Sequence, residues 1–295
     1  MGEEVAPLAP PDVVAAGFRL ETSSRTLVQA VLNVTPDSFF DGGRHLAADH
    51  PATAVRHGAA LLEAGADLVD VGGESTRPGA GPVDVDEELH RVVPVIRALA
   101  RDGACVSVDT TKAAVAHAAI EAGAAIVNDV SAGALDDALL DVVAEADAAY
   151  VLMHMQGTPR TMQQAPIYRD VVDDVRMFLA ERLDVLAERG IARERVIVDP
   201  GIGFGKTAAH NVALLRGLAR FTTLGRPVLV GASRKSFLGA LTGLDDPEER
   251  LEASVAAAVV AVLHGASMVR VHDVAATVRA VAVADAVARG RGEGD

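Results

Sequence analysis

The sequence predicts a single-domain α/β protein built as a (β/α)8 barrel. Eight short apolar runs alternate with longer, Ala- and Leu-rich amphipathic stretches along the 295 residues. The runs are almost continuously apolar, which is typical of parallel strands covered on both faces. No change of composition marks a domain boundary, and this favours one barrel over the competing doubly wound open sheet.

Each predicted strand is a short run dominated by Val, Ile, Leu or Ala. The strands are 27–34, 67–72, 105–109, 126–130, 149–154, 196–199, 227–231 and 268–272. The helices predicted between them are 51–64, 86–101, 111–122, 136–145, 171–189, 209–222, 248–264 and 274–288. Glycines expected at helix stops are Gly65, Gly103, Gly123, Gly190, Gly225 and Gly265. The strict alternation of strand and helix predicts that all eight strands run parallel.

Residues 18–26 are predicted to form a short hairpin that closes the bottom of the barrel. Residues 1–17 are acidic and proline-rich and are expected to be a flexible tail, as are residues 291–295, which leaves 18–290 as the barrel domain. The first residues lack the basic start and apolar stretch of a secretory signal.

Composition excludes several classes of partner. The net charge of −14 argues against nucleic acid or an anionic membrane as the main partner. No apolar run reaches transmembrane length. The single cysteine, Cys105, excludes a disulfide framework within the chain and is expected to be a small buried hydrophobe. A reducing, cytoplasmic location is therefore expected.

The segment DPGIGFGKT, residues 199–207, ends like a phosphate-binding loop. That loop requires a glycine, four residues and then Gly-Lys-Ser/Thr. The first glycine would fall at position 200, where the chain has Pro200, and Gly201 comes one residue too late. Proline also lacks the backbone N–H that a phosphate cradle uses. The spacing therefore argues against a nucleotide-binding loop.

Barrel active sites form at the C-terminal ends of the strands, and every predicted strand here ends in a residue able to hydrogen-bond. The cations predicted at this rim are Arg77, Arg234, Lys235, Arg270 and His272. Their concentration on one rim of an acidic protein indicates an anionic, phosphorylated ligand. Asn33 and Asp37 could share Mg²⁺ with the phosphate oxygens.

Acceptors cluster on other strand ends, at Asp109, Asn128 and Asp199. Two carboxylates and an amide suit a flat ring whose amino group lies beside ring N–H groups, such as a 2-amino-4-oxo pyrimidine edge, and Lys235 could serve its carbonyl. A metal site at these carboxylates is the alternative, but no neighbouring pair of His or Cys residues favours it. Neither a nucleophile with an adjacent base nor a Gly-x-Ser-x-Gly elbow is present, which indicates positioning and charge stabilisation.

Eight motifs together resemble the dihydropteroate synthase family of pterin-binding TIM barrels. In chain order they are LNVTPDSF, DVGGESTRPGA, SVDTTK, VNDVSAG, LMHMQGTP, DPGIGFGKT, GASRKSFLG and RVHDV. The resemblance covers residues 32–273 and is specific because all eight occur in register. It implies a transferase of folate biosynthesis that joins p-aminobenzoate to the pyrophosphate ester of 6-hydroxymethyl-7,8-dihydropterin. The C–O bond would break first, and family members are usually homodimers.

The resemblance also implies a residue set for each ligand. The pterin would be held by Asp109, Asn128, Met153, Asp199, Phe204 and Lys235. Pyrophosphate would be held by Asn33, Arg77, Arg270 and His272. The p-aminobenzoate site, which sulfonamides also occupy, would be formed by Phe39, Thr76, Pro78 and Ser236. Mg²⁺ would be bound by Asn33, with Asp37 as a further candidate, and the catalytic residues would be Asn33, Asp109, Lys235 and Arg270.

Three other functions compete with this one. A non-catalytic pterin-binding paralogue would keep the pterin acceptors but lose groups for pyrophosphate or the arylamine. A pterin-dependent methyltransferase barrel would lack GGESTRPGA and SRKSF together, and a phosphosugar barrel has only the fold in its favour. Within the synthase family, Phe40 departs from a pattern that commonly has a small residue there. The glycines of 199–207 would let the backbone approach the ligands closely.

Overall fold

The computed structural model describes residues 6–35, 50–75, 81–158 and 160–289. Its strands are β1 (Val13–Ala15), β2 (Phe18–Leu20), β3 (Leu27–Asn33), β4 (Leu68–Gly72), β5 (Val106–Asp109), β6 (Ile126–Asp129), β7 (Ala149–Met153), β8 (Val196–Asp199), β9 (Leu229–Val230) and β10 (Met268–Val271). Strands β3 to β10 form one parallel sheet in the order β8-β7-β6-β5-β4-β3-β10-β9. A parallel bridge between Val198 and Val228 joins its two edges. The predicted barrel is confirmed.

The helices are α1 (His50–Glu63), α2 (Val85–Arg101), α3 (Ala113–Glu121), α4 (Ala138–Glu145), α5 (Val171–Glu188), α6 (Ala208–Arg216), α7 (Ala219–Thr222), α8 (Ser236–Thr242), α9 (Leu251–Leu263) and α10 (Val274–Arg289). All six glycines expected at helix stops have a positive φ, between 67° and 109°. That backbone conformation favours glycine because it has no Cβ, so the predicted stops are confirmed. Within the described residues, no helix is both long and apolar enough to span a membrane.

Two helical predictions need correction, and one helix was not predicted. The helix predicted over 209–222 is broken at Gly217, where a Cβ would lie 2.9 Å from the Val172 side chain. Helix α8 was not predicted, and it begins immediately after the rim residue Lys235. Residues 247–249 form a 3-10 turn, because the Asp246 side chain accepts a hydrogen bond from the Glu248 backbone N–H at 2.9 Å, so α9 starts later than predicted.

An apolar plug closes the bottom of the barrel. It is formed by the inward side chains at the starts of the strands and by the β1–β2 hairpin: Val13, Ala15, Leu20, Leu27, Leu68, Cys105, Ala125, Ile126, Ala149, Val151, Ile197, Leu229 and Met268. Cys105 is buried there as predicted, and this burial raises the pKa of its thiol to about 12.

The hairpin closes the barrel bottom as predicted but lies earlier in the chain than 18–26. It pairs Val13 with Leu20 and turns at Ala16 and Gly17, whose φ angles are 48° and 78°. The alternating apolar residues on either side of this turn face the plug. Residues 13–17 are therefore part of the fold, which corrects the prediction of a flexible tail over 1–17.

Candidate active site

Four side chains from four different strands form one buried network at the C-terminal rim. Arg270 of β10 donates from Nε to Asp70 Oδ2 at 2.6 Å and from a terminal nitrogen to Asp109 Oδ2 at 2.7 Å. Asn128 of β6 donates to the same oxygen of Asp70 at 3.0 Å. Three predicted site residues, Arg270, Asp109 and Asn128, are thus brought together. Asp70 was missed by the sequence reasoning, although a carboxylate inside the apolar run LVDVG was a signal for it.

The surroundings of Asp109 in this network bring its pKa close to neutral pH. Burial raises the pKa of Asp109 to about 7, and the nearby Asp70 adds to the rise, while Arg270 opposes it. Burial also disfavours the charged form of Arg270, but the two carboxylates more than offset this and raise its pKa. Arg270 therefore stays cationic, whereas Asp109 can exchange a proton near neutral pH.

On the opposite side of the rim, Asp199 and Lys235 are held by the backbone. Asp199 Oδ1 accepts a hydrogen bond from the Gly201 N–H at 2.7 Å. Lys235 Nζ donates to the Ile202 carbonyl and lies 4.5 Å from the centroid of the Phe204 ring. Burial lowers the pKa of Lys235 to about 8, against the attraction of Asp199. Burial raises the pKa of Asp199, and Lys235 opposes that rise.

Gly231, just beyond β9, lies where the two sides meet. A Cβ at this position would lie 3.7 Å from Arg270 Cβ and 3.9 Å from Lys235 Nζ. Arg270 and Lys235 therefore flank the same point. The absence of a side chain at residue 231 leaves space beside both side chains.

The glycines of the 199–207 segment are required by contacts within the protein. Gly201, Gly203 and Gly205 all have positive φ, at 69°, 84° and 65°. A Cβ would lie 1.9 Å from the His154 carbonyl at Gly201, 2.8 Å from Lys235 Cδ at Gly203 and 2.6 Å from the Gln156 carbonyl at Gly205. The close approach to a ligand that the sequence suggested stays a prediction, and packing against the loop after β7 and against Lys235 is sufficient reason for these residues.

Lys206, the lysine of the Gly-Lys-Thr sequence, is buried and bound to other protein groups. Its Nζ lies 3.0 Å from His154 Nδ1 and donates to the carbonyls of Phe204 at 2.9 Å and His154 at 3.3 Å. Burial lowers the pKa of Lys206 well below its usual value and that of His154 to about 3. Lys206 therefore connects the loops after β7 and β8, in agreement with the sequence argument against a phosphate-binding loop.

The cations after β9 and β10 differ in availability. Arg234 is paired with Asp273 through two hydrogen bonds, Nε to Oδ2 at 3.0 Å and a terminal nitrogen to Oδ1 at 2.7 Å. Its charge is therefore already matched, although the sequence counted it among the ligand-facing cations. His272 Nδ1 lies 3.1 Å from Ser233 Oγ, and Ser236 is exposed at the start of α8. Met153 is buried at the end of β7.

A family model described as pterin binding enzyme matches residues 29–272. The chain belongs to this pterin-binding enzyme family. It is 47% identical over 260 residues to the dihydropteroate synthase of Escherichia coli K12, covering 88% of this chain and 90% of that protein. It is 49% identical over 265 residues to the dihydropteroate synthase of Mycobacterium leprae, covering 88% and 92% of the two chains. The resemblance predicted from the eight motifs is confirmed.

Solved structures of dihydropteroate synthases share the fold closely. The Xanthomonas albilineans enzyme with 4-aminobenzoic acid has a TM-score of 0.87 and 49% identity, over 94% of this chain and 98% of that one. The Burkholderia cenocepacia enzyme complexed with 7,8-dihydropteroate has a TM-score of 0.85 and 45% identity, over 96% and 100% of the two chains. The Yersinia pestis enzyme, solved as a complex with a sulfonamide drug, has a TM-score of 0.88 and 44% identity, over 95% and 100%.

Asn33 lies across Gly72 from Asp109 at the C-terminal rim. Its Oδ1 lies 3.7 Å from the ideal Cβ position of Gly72, and Asp109 Oδ2 lies 3.8 Å from the same point. The described residues contain no group of three or more His, Cys, Asp or Glu that could hold a metal ion. One amide suits Mg²⁺ only if phosphate oxygens and water complete its coordination, as Mg²⁺ prefers.

Several predicted site residues lie outside the described residues, so their placement stays a prediction. They are Asp37, Phe39, Thr76, Arg77 and Pro78, together with the departing residue Phe40. Both flanks of residues 76–80 are nevertheless tied to the barrel. Lys112 Nζ donates to the carboxylates of Glu74 and Glu88, and the Val83 N–H donates to Glu74 at 3.3 Å. Sequence reasoning missed this ion network because its members come from three separate elements.

Proposed function

We propose that the protein is a dihydropteroate synthase. It condenses 6-hydroxymethyl-7,8-dihydropterin pyrophosphate with p-aminobenzoate to give 7,8-dihydropteroate and pyrophosphate. The observation that carries the proposal is the convergence of the acceptors Asp109, Asn128 and Asp199 with the cations Lys235 and Arg270 at one end of the barrel. The named relatives and the neighbours solved with 4-aminobenzoic acid and 7,8-dihydropteroate support it.

In this proposal the two sides of the rim bind the pterin edge together. Asp199, Asp109 and the Asn128 amide oxygen accept hydrogen bonds from the amino group and ring N–H groups. Lys235 donates to the ring carbonyl, and Phe204 packs near the ring with Met153. An ionised carboxylate accepts from a ring N–H more strongly than a protonated one, so the raised pKa of Asp109 makes binding depend on pH near neutrality.

The condensation begins with cleavage of the C–O bond, whose electrons leave with the pyrophosphate oxygen. Arg270 and His272, with Arg77, bind the departing anion and offset its growing charge. Asp109 faces the pterin and offsets the positive charge that develops on it. The neutral aniline nitrogen then forms the C–N bond and releases one proton, so no strong base is needed. Mg²⁺, when bound with Asn33 as a ligand, supplies further charge neutralisation on pyrophosphate.

We also propose that the protein is a cytoplasmic homodimer. The adjacent helices α9 and α10 expose apolar side chains, Val260, Leu263, Val283 and Val287, with Val287 71% exposed. Exposed apolar residues grouped on neighbouring helices are typical of an interaction surface. Light scattering should give twice the chain mass, and the change Val283→Glu with Val287→Glu should shift it towards the monomer. A monomeric wild-type protein at micromolar concentration would contradict the dimer.

Turnover is the decisive test. The purified protein is incubated with Mg²⁺, the dihydropterin pyrophosphate and p-aminobenzoate, and formation of dihydropteroate is followed. We expect product that is lost when Mg²⁺ is chelated and that is suppressed by a sulfonamide. No product with intact pterin binding would instead identify a non-catalytic pterin-binding protein, and methyl transfer from a methylated pterin to a corrinoid would identify a methyltransferase.

A further inference from the structure

A polar layer lies inside the barrel, between the apolar plug and the candidate active site. Val69 and Val71 of β4 pack outward against the helices, so the alternating residues Leu68 and Asp70 face the interior. The same alternation turns Gln29 of β3 inward, between the plug residue and the rim. Ser107 of β5 follows this pattern too, since its neighbours Val106 and Val108 pack outward. Asp70, Gln29 and Ser107 are all fully buried, at 0% exposure.

The register of the sheet brings these three residues together. Asp70 is the direct neighbour of Ser107 across β4 and β5. Gln29 is the direct neighbour of Arg270 across β3 and β10, and Arg270 in turn is bound to Asp70. The layer is therefore continuous with the network that holds Arg270 and Asn128.

Within the part of the chain that the structure describes, only one polar side-chain atom of this layer, Asp70 Oδ2, is bound by the site above it. Asp70 Oδ2 accepts from Arg270 at 2.6 Å and from Asn128 at 3.0 Å. Among the described protein atoms, Asp70 Oδ1, both amide atoms of Gln29 and Ser107 Oγ have no hydrogen-bond partner. Buried polar atoms are costly unless they are paired, and several on one face of a sheet indicate a common ligand. Donors and acceptors are both present, which matches water and not an anion.

We propose that Asp70 is a positioning residue that orients Arg270 and Asn128 from beneath, and that Asp70, Gln29 and Ser107 form an internal water site completing its hydrogen bonds. The positioning role rests on the proposed synthase function. Asp70 is fully buried beneath Arg270 and Asn128, so it acts through them and not on substrate. Asp70 accepts a hydrogen bond from the Nε–H of Arg270, and Asp109 accepts one from a terminal N–H of the same guanidinium. Three of the five guanidinium N–H donors stay available for pyrophosphate.

The first test separates positioning from a general effect on folding. Asp70→Asn keeps one acceptor but removes the charge that fixes Arg270, and we expect kcat to fall about 100-fold, as misplacement of a catalytic group does. The matched control is Asp285→Asn, a carboxylate at the barrel bottom that accepts from the Thr26 N–H and hydroxyl, both at 2.7 Å. The control should lower the melting temperature and leave kcat unchanged. Equal kcat in Asp70→Asn and the wild type would overturn the proposal.

A double-mutant cycle asks whether Asp70 acts through Arg270. In an Arg270→Lys background the fork that Asp70 orients is gone, so Asp70→Asn should lower kcat by no more than about threefold further. A full 100-fold loss in both backgrounds would overturn the positioning role.

Calorimetry with Mg²⁺ and inorganic pyrophosphate makes the test independent of turnover. Asp70→Asn should weaken that binding about tenfold even if the proposed condensation is not observed, because a charge-assisted contact is misaligned.

The water site is tested by a high-resolution crystal structure of the full chain. We expect ordered water within hydrogen-bond distance of Asp70 Oδ1 and of Gln29 or Ser107. The combined change Gln29→Leu and Ser107→Ala should remove that density and lower kcat less than Asp70→Asn does. A direct contact between Asp70 Oδ1 and the Gln29 amide in place of water would overturn this part of the proposal.

Discussion

On the side of the candidate site formed by β4, β5, β6 and β10, side chains bind one another. On the side formed by β8 and β9, the side chains are instead bound by backbone groups. Arg270 joins Asp70 and Asp109 by charge-assisted hydrogen bonds. Asp199 is held by the Gly201 N–H, and Lys235 by the Ile202 carbonyl. Removing a group from the first side leaves a buried charge without its partner. A charge change on the second side leaves the backbone donors and acceptors in place, so it should affect ligands more than folding.

The largest effect is expected at Arg270. Arg270→Ala leaves both Asp70 and Asp109 without their cation, so we expect the free energy of unfolding to fall by ~3 kcal/mol or more. Activity should fall with it, because in the proposed function Arg270 binds pyrophosphate. Urea denaturation and steady-state kinetics measure the two losses. Arg270→Lys is the control, since it restores the charge but not the fork, and it should recover more stability than activity. An Arg270→Ala protein as stable as the wild type would contradict the charge-held description of this side.

Asp199→Asn probes the backbone-held side. The amide oxygen can still accept from the Gly201 N–H, and burial already disfavours the carboxylate charge by raising its pKa. We therefore expect no loss of melting temperature. The amide presents a donor where the pterin also donates, so pterin affinity should fall ~10- to 100-fold, the size of one charged hydrogen bond. Calorimetry with the pterin and with pyrophosphate separates the ligands, and equal losses for both would show that the subsites are wrongly assigned.

The strands were predictable because their information is local. Apolar β-branched runs bounded by glycine and polar residues placed each of the eight barrel strands to within about two residues, and alternation alone places Asp70, Asn128 and Arg270 inside the barrel. The hairpin was predicted too late in the sequence. Its turn at Ala16 and Gly17 carries no strong turn signal and follows a proline-rich stretch that is typical of a tail.

Which charged side chains pair with one another across the barrel was not predictable from one sequence. Asp70 and Arg270 are separated by 200 positions, and nothing local to LVDVG indicates which cation it meets. Arg234 was counted among the ligand cations because its partner Asp273 lies 39 positions later, at the end of another strand. Helix α8 was missed because its seven residues overlap the SRKSF motif, although Gly243, with φ of 75°, gave a stop signal.

A pH profile compares the two sides in one experiment. In the proposed function an ionised Asp109 accepts from the pterin, and burial raises its pKa to about 7, so kcat/KM should rise with pH through about 7. Lys235 must be protonated to donate, and its pKa is lowered to about 8, so kcat/KM should fall as pH rises through about 8. The expected profile is a narrow bell that reports the free enzyme. Asp109→Asn should abolish the acid limb and leave the alkaline limb. A flat profile between pH 6 and 9 would contradict both assignments.

The smallest effect on chemistry is expected at Lys206, a buried cation that fixes the shape of the backbone-held side. Lys206→Met removes the donor shared by His154 and the Phe204 carbonyl, and we expect ~1–2 kcal/mol less stability because those acceptors lose their partner. His154 also loses the neighbouring charge, so its pKa, now lowered to about 3 mainly by burial, should rise, although burial keeps it below the usual value. Turnover should change by no more than about threefold, since Lys206 faces protein groups and not the pocket. A loss as large as that of Asp199→Asn would show that the lysine contacts a ligand, and the distinction drawn between the two sides would fail at that residue.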